Sequence, residues 1–262
     1  MPKVSRPVDF EDRLTLVEHL DELRTRLLVS LAFFTVALAL CFWQNKPLLD
    51  IANAPLPDGR TPITFGVAEP FTTTLTISAY AAILISLPFL LYQAYGFILP
   101  ALSPREKKVI LPFMLMAPFL FVAGVVFAYF VVVPAATNFL LNFNDDQFNI
   151  EIRAREYYSF FAMSEIAVGL LFQIPIGILA VTRLGIVTPQ QIADNRRYAI
   201  LIIAVLAMLL PGTDPVTMLV SMAPLLVLFE GSLIFARIFG GPSASEEDDE
   251  PTTDMTAGGE AP

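Results

Sequence analysis

Six apolar stretches set what this chain can fold into. They run over about residues 27–43, 71–99, 109–133, 157–182, 198–210 and 216–236, separated by segments rich in Pro, Gly, Asn and charge. Crossing the roughly 30 Å of a bilayer's hydrocarbon takes about 20 helical residues at 1.5 Å each. Stretches two, three, four and six meet that length, and the first does with its run-in. The fifth is short, so the bilayer would thin around it or neighbouring helices would shield it. Of the 262 residues, 55% are hydrophobic and 16% charged, more apolar surface than one soluble core of this size can hide. The expected fold is all-α: a polytopic membrane protein with six transmembrane helices, several kinked by proline.

Three segments follow along the chain. Residues 1–26 form a polar N-terminal segment whose Leu16, Leu20, Leu23 and Leu27 recur at helical spacing. Residues 27–236 hold the six spans. Residues 237–262 are an acidic tail that includes Glu246-Glu247-Asp248-Asp249-Glu250 and lacks apolar periodicity, which reads as disorder. That tail supplies much of the net charge of −9, and such acidity argues against nucleic-acid binding.

Twelve of the 16 Lys and Arg residues fall before the first stretch, in the loops after the second and fourth, or after the sixth. The others, Lys46, Arg60, Arg153 and Arg155, lie on the opposite side. Cytoplasmic loops carry the excess of basic residues, so both termini are expected in the cytoplasm of a cell-membrane protein. Acidic residues precede the first apolar run, which does not fit a cleaved signal peptide, so the first span is expected to direct insertion. The lone Cys41 excludes an internal disulfide and the lone His19 a His-cluster metal site. No nucleotide loop, zinc-protease or nucleophile-elbow motif occurs, so no catalysis and no cofactor are expected.

Prolines at 88, 112, 118, 175 and 224 fall inside apolar stretches, where each removes a backbone bond and favours a kink, and Pro134 closes the third. Kinked helices packed side by side suggest a curved body. Asn142 to Asp146 reads as loop, like Pro55-Leu56-Pro57-Asp58-Gly59.

The informative polar residues flank the spans. His19-Leu20-Asp21-Glu22-Leu23-Arg24-Thr25-Arg26-Leu27 sets carboxylates and guanidiniums just before the first span. Helix charge pairing explains Glu22 with Arg26 at i,i+4, at a few tenths of a kcal/mol. Tyr92-Gln93-Ala94-Tyr95-Gly96-Phe97-Ile98-Leu99-Pro100-Ala101-Leu102-Ser103-Pro104-Arg105-Glu106-Lys107-Lys108 closes and follows the second. A positive-inside anchor explains Lys107 and Lys108 but not Glu106.

These two runs together resemble the TatC family, the multispanning subunit of the twin-arginine protein translocase. The likeness continues through Ala54-Pro55-Leu56, Glu69-Pro70-Phe71, Phe127-Ala128-Tyr129-Phe130, Phe172-Gln173-Ile174-Pro175, Gly212-Thr213-Asp214-Pro215 and Leu228-Phe229-Glu230. It implies a receptor for signal peptides carrying consecutive arginines, export of folded proteins driven by the proton gradient, and TatA and TatB as single-helix partners. It also implies a homo-oligomer within that complex. Glu22, Arg24, Phe97 and Glu106 are then the signal-peptide-binding residues. Pro55, Glu69 and Asp214 are structural loop positions. A carboxylate suits this task, because it can accept two bonds from one guanidinium.

One departure stands out. The family commonly has Glu before the proline of the fourth helix, where this chain has Gln173. Its span carries a carboxylate eight residues earlier, at Glu165. Gln173 and Glu165 are therefore candidates for an intramembrane polar or partner-helix role, against the plainer reading that Glu165 reaches water near the outer interface. Two other functions compete. A proton-coupled small-molecule transporter would also place acids in membrane helices, and a non-transporting assembly factor would not bind signal peptides at all.

Overall fold

In the computed structural model the described residues are 16–98, 104–148, 150–183, 186–210 and 214–239. Residues 1–15 and 240–262, which hold much of the N-terminal segment and the acidic tail, lie outside them. So do residues 99–103 and 211–213.

Ten α-helices follow one another among the described residues: α1 (Leu16–Trp43), α2 (Asn45–Asn53), α3 (Glu69–Ile98), α4 (Pro104–Phe127), α5 (Val133–Asn142), α6 (Ala154–Leu171), α7 (Ile174–Arg183), α8 (Pro189–Asp194), α9 (Arg196–Met208) and α10 (Pro215–Phe239). The protein is an all-helical, multi-pass membrane protein. Five helical runs are long and apolar enough to cross a membrane: His19–Trp43, Glu69–Phe97, Met114–Asn142, Ala154–Thr182 and Pro215–Ile234. The fifth apolar stretch becomes the 13-residue α9, about 20 Å long and so shorter than the hydrocarbon layer.

The burial pattern is that of a lipid-facing body. Phe119 and Val227 are 79% and 72% exposed, while Ser78, Ser86, Ser164 and Ser221 are buried. In water that arrangement would be costly; in lipid the apolar side chains face their solvent and the polar ones seek the interior.

The third stretch extends further than its proline suggests. Pro134 does not close it. A five-residue π-turn, Ala128–Val132, leads directly into α5, where Pro134 occupies the first turn and its missing N–H is tolerated. The helix therefore reaches Asn142, and the polar connection is shorter than expected. Pro88, Pro112, Pro118 and Pro224 lie within continuous helices. Pro175 acts differently: it cannot donate to Leu171, and the fourth stretch divides at Phe172–Gln173 into α6 and α7.

α1 and α3 pack antiparallel along their length. Ala37 and Cys41 meet Ala81 and Ala82. Phe33 stacks on Phe89 at 4.6 Å. This register carries the start of α1 to the end of α3. One apolar core joins α2, α3, α5 and α6 through Ala52, Ile77, Val133, Tyr157 and Phe161. A second joins the π-turn, α6, α9 and α10 through Val132, Val168, Phe172, Ile203 and Phe229.

Candidate functional site

The first turns of α1 and the last turn of α3 form one polar cluster at the basic face. The leucine stripe of α1 continues into its span, so His19, Glu22 and Arg26 lie one turn apart on the side towards α3. The His19 ring stacks on Phe97, with centroids 4.1 Å apart and planes 15° apart. Glu22 Oε1 accepts from Arg26 Nε at 2.9 Å and Nη2 at 2.6 Å. Arg26 also reaches across to α3. Its Nη1 donates to Gln93 Oε1 at 2.9 Å and to the Gln93 carbonyl at 3.5 Å, and its Nη2 to the Gly96 carbonyl at 3.1 Å. Glu22 and Arg26 are each about one-quarter exposed. Arg24 points outward. The packing thus brings Glu22 and Phe97 to one cluster from positions 75 residues apart in the chain. Glu106 lies in the first turn of α4, and its side chain is outside the described residues.

This cluster can recognise a cation. A one-quarter-exposed carboxylate supplies charge and directional acceptors, and an aromatic face beside it suits a guanidinium or an apolar side chain. Sequence reasoning found the i,i+4 pair but gave no role to Gln93, Gly96 or His19, although all three lie within the runs it singled out. Gly96 leaves space for the seat: a Cβ there would stand 2.5 Å from Arg26 Nη1 and displace the guanidinium from it.

The two intramembrane candidates differ from one another. Gln173 sits at the α6–α7 break, where its Nε2 donates to the Ala117 carbonyl of α4 at 3.2 Å. Its Oε1 is buried without a partner among the described residues. Glu165 is 2% exposed, and neither of its oxygens has a hydrogen-bond partner there. It does not reach water at the outer interface. α6 turns it inward, on the same side as Phe161, Ala162 and Val168.

The opposite face is organised by hydrogen bonds from side chains to loops. Glu69, at the start of α3, accepts from Arg153 Nε at 2.8 Å and from the backbone N–H groups of Phe65 and Gly66 at 2.9 and 3.2 Å. Arg153 also lies over the Phe65 ring, 5.7 Å from its centroid. Backbone bonds of 2.8 and 2.9 Å between Ile63 and the 152–154 segment complete the join. Pro55 links α2 to a single 3₁₀ turn at Pro57–Gly59. Asp214 is the N-cap of α10, its carboxylate accepting from both the N–H and the hydroxyl of Thr217. Three tyrosines to which sequence reasoning gave no role anchor the end of α2. Tyr129 and Tyr157 donate to the Ile51 and Ala52 carbonyls at 3.0 and 2.6 Å, and Tyr158 donates to Asn53 Oδ1 at 3.0 Å. The two carbonyls are last-turn groups of a helix, which otherwise lack partners. Among the described residues, no cluster of His, Cys, Asp or Glu could hold a metal ion.

The comparisons agree with this architecture. Residues 18–224 match the family described as Sec-independent protein translocase protein (TatC). The protein of that name from Desulforapulum autotrophicum is 33% identical over 243 residues, covering 91% of this chain and 90% of the relative. The Escherichia coli (strain K12) protein is 32% identical over 243 residues, covering 91% and 94%. A crystal structure of the twin arginine translocase receptor TatC in DDM matches with a TM-score of 0.72 at 33% identity, over 83% of this chain and 99% of that one. The chain belongs to the TatC family.

Proposed function

We propose that this protein is the receptor and core subunit of a twin-arginine translocase. It binds signal peptides bearing consecutive arginines at the basic face and supports proton-gradient-driven export of folded proteins. Its partners are TatA, TatB and further copies of itself in the cell membrane. The observation that carries the reading is the cluster at the α1–α3 end in which Glu22 lies beside the His19–Phe97 stack, a few residues of chain before Glu106. The face is basic, with both termini in the cytoplasm, and it is where an undocked signal peptide first meets the membrane. Arg24 adds charge at its rim. Gln173 and Glu165 serve within the membrane, Gln173 at a seam with a partner helix. Pro55, Glu69 and Asp214 hold the loops of the outer face in place.

The test is peptide binding to the full chain in lipid nanodiscs. Glu22→Gln and Glu106→Gln should each weaken a twin-arginine peptide by about tenfold, as expected for a lost charge-assisted bond, and a twin-lysine control by less. Equal losses for both peptides would remove the specific contact and leave general electrostatics. A reporter after Gly240 should read as cytoplasmic and one near Asp58 as external, and the reverse would overturn the orientation.

A further inference from the structure

We propose that Arg26 sets the discrimination between arginine and lysine at this site, by occupying one oxygen of Glu22 and cancelling its charge. The inference rests on the reading above and goes beyond it in naming a residue that never touches the peptide. It starts from donor arithmetic. A guanidinium has five N–H groups. Arg26 directs its Nε and one Nη2 hydrogen to Glu22 Oε1, the other Nη2 hydrogen to the Gly96 carbonyl, and the two Nη1 hydrogens to Gln93 Oε1 and the Gln93 carbonyl. Every donor is engaged, and the acceptors come from two helices. A lysine has three donors and no fork, and could not fill the same seat.

Two consequences follow for a ligand. Glu22 Oε1 is already engaged, so an incoming cation meets Oε2, which lies 3.9 Å from His19 Nδ1. The Glu22–Arg26 pair also has no net charge. A lysine ammonium attracts as a point charge and gains little from a neutral pair, and the Arg26 guanidinium behind the carboxylate repels it. An arginine keeps its directional bond to Oε2 and has further donors for neighbouring acceptors, with its flat face towards the His19–Phe97 stack. Arg26 thereby suppresses binding by charge alone.

The experiment titrates twin-arginine and twin-lysine peptides against the full chain in nanodiscs, wild type beside Arg26→Gln and Arg26→Lys. In Arg26→Gln the twin-lysine peptide should bind about three- to tenfold more tightly while the twin-arginine peptide changes by less than about threefold, because a largely buried charge a few ångströms away acts at intermediate dielectric. Arg26→Lys keeps the charge but, with three donors, loses the seat, so the preference for arginine should fall as in Gly96→Ala and by less than in Arg26→Gln. Should Arg26→Gln fail to fold, Gly96→Ala carries the test, since its Cβ would stand 2.5 Å from Nη1 and dislodge the guanidinium with every charge retained. The preference for arginine should then fall at least about twofold, as the lost seat frees Glu22 for charge-only binding. Proportional weakening of both peptides, or an unchanged preference, overturns the proposal. A wild-type protein with no preference for twin arginine overturns the receptor reading, and this inference with it.

Discussion

Gly124 of α4 and Gly169 of α6 are the positions where one added methyl group should be felt most. The two helices cross with each glycine facing the other helix's phenylalanine. A Cβ at Gly124 would lie 2.8 Å from Phe172 Cγ and 2.9 Å from Gly169 Cα, and a Cβ at Gly169 would lie 2.7 Å from Phe121 Cε2. Carbon atoms in contact sit about 3.5–4.0 Å apart, so the helices must part by roughly 0.5–1 Å or the rings must move. Phe121 is buried to 1% exposure, and Gly169 Cα is backbone, so neither yields readily. Overpacking of this kind costs about 1–3 kcal/mol, here nearer the upper end, against a gain of up to about 1 kcal/mol from replacing glycine within a helix. The net loss for Gly124→Ala is about 1–2 kcal/mol, which lowers an apparent melting temperature by about 2–8 °C in a chain of this length. Gly177→Ala and Gly231→Ala are the internal controls, because an added Cβ there meets nothing within 4 Å. Melting of the detergent-solubilised protein, followed by loss of its monodisperse elution peak, is the assay. Phe121→Leu should relieve Gly169→Ala, whose clash is with that ring, but not Gly124→Ala, whose clash includes backbone. Gly124→Ala melting together with Gly177→Ala would refute the close approach, and so would full rescue of Gly124→Ala by Phe121→Leu.

Further outcomes follow from other contacts. Tyr157→Phe removes the 2.6 Å bond to the Ala52 carbonyl and should cost about 1–3 kcal/mol for the orphaned acceptor, seen as faster amide exchange across α2; unchanged exchange would detach that hydroxyl from α2. Gln173→Leu should leave the protein inserted and folded while weakening TatA or TatB crosslinking by up to about threefold, the scale of one interhelical hydrogen bond in a membrane; unchanged crosslinking and export would move the docking role elsewhere. Glu165→Gln should hold or raise the melting temperature, since neither carboxylate oxygen has a partner to lose among the described residues; a large drop would reveal a hidden partner.

Composition and pattern alone determined the membrane as solvent and most of the spans, and set the expectation for sidedness. Runs of apolar residues and the placement of Lys and Arg are local properties, and lipid imposes its length requirement on each run separately. Asp214 came as a structural position only with the family resemblance; its N-cap bond to Thr217 belongs to the tertiary structure. Tertiary structure decided what no local pattern encodes. Pro134 reads as a terminus because proline breaks an α-helix, and only the neighbouring π-turn lets the helix run on to Asn142. Glu165 reads as a residue near water because an unpaired carboxylate in lipid is expensive, yet the rotation of α6 turns it inward. Arg26 reads as the surface partner of Glu22 four residues away. The antiparallel register of α1 on α3 brings it to Gln93 and Gly96, about seventy residues further along, and there a glycine's missing side chain becomes the space for a guanidinium. Pairings across such separations depend on how two helices rotate and slide against each other, and that is set by the whole packed interface.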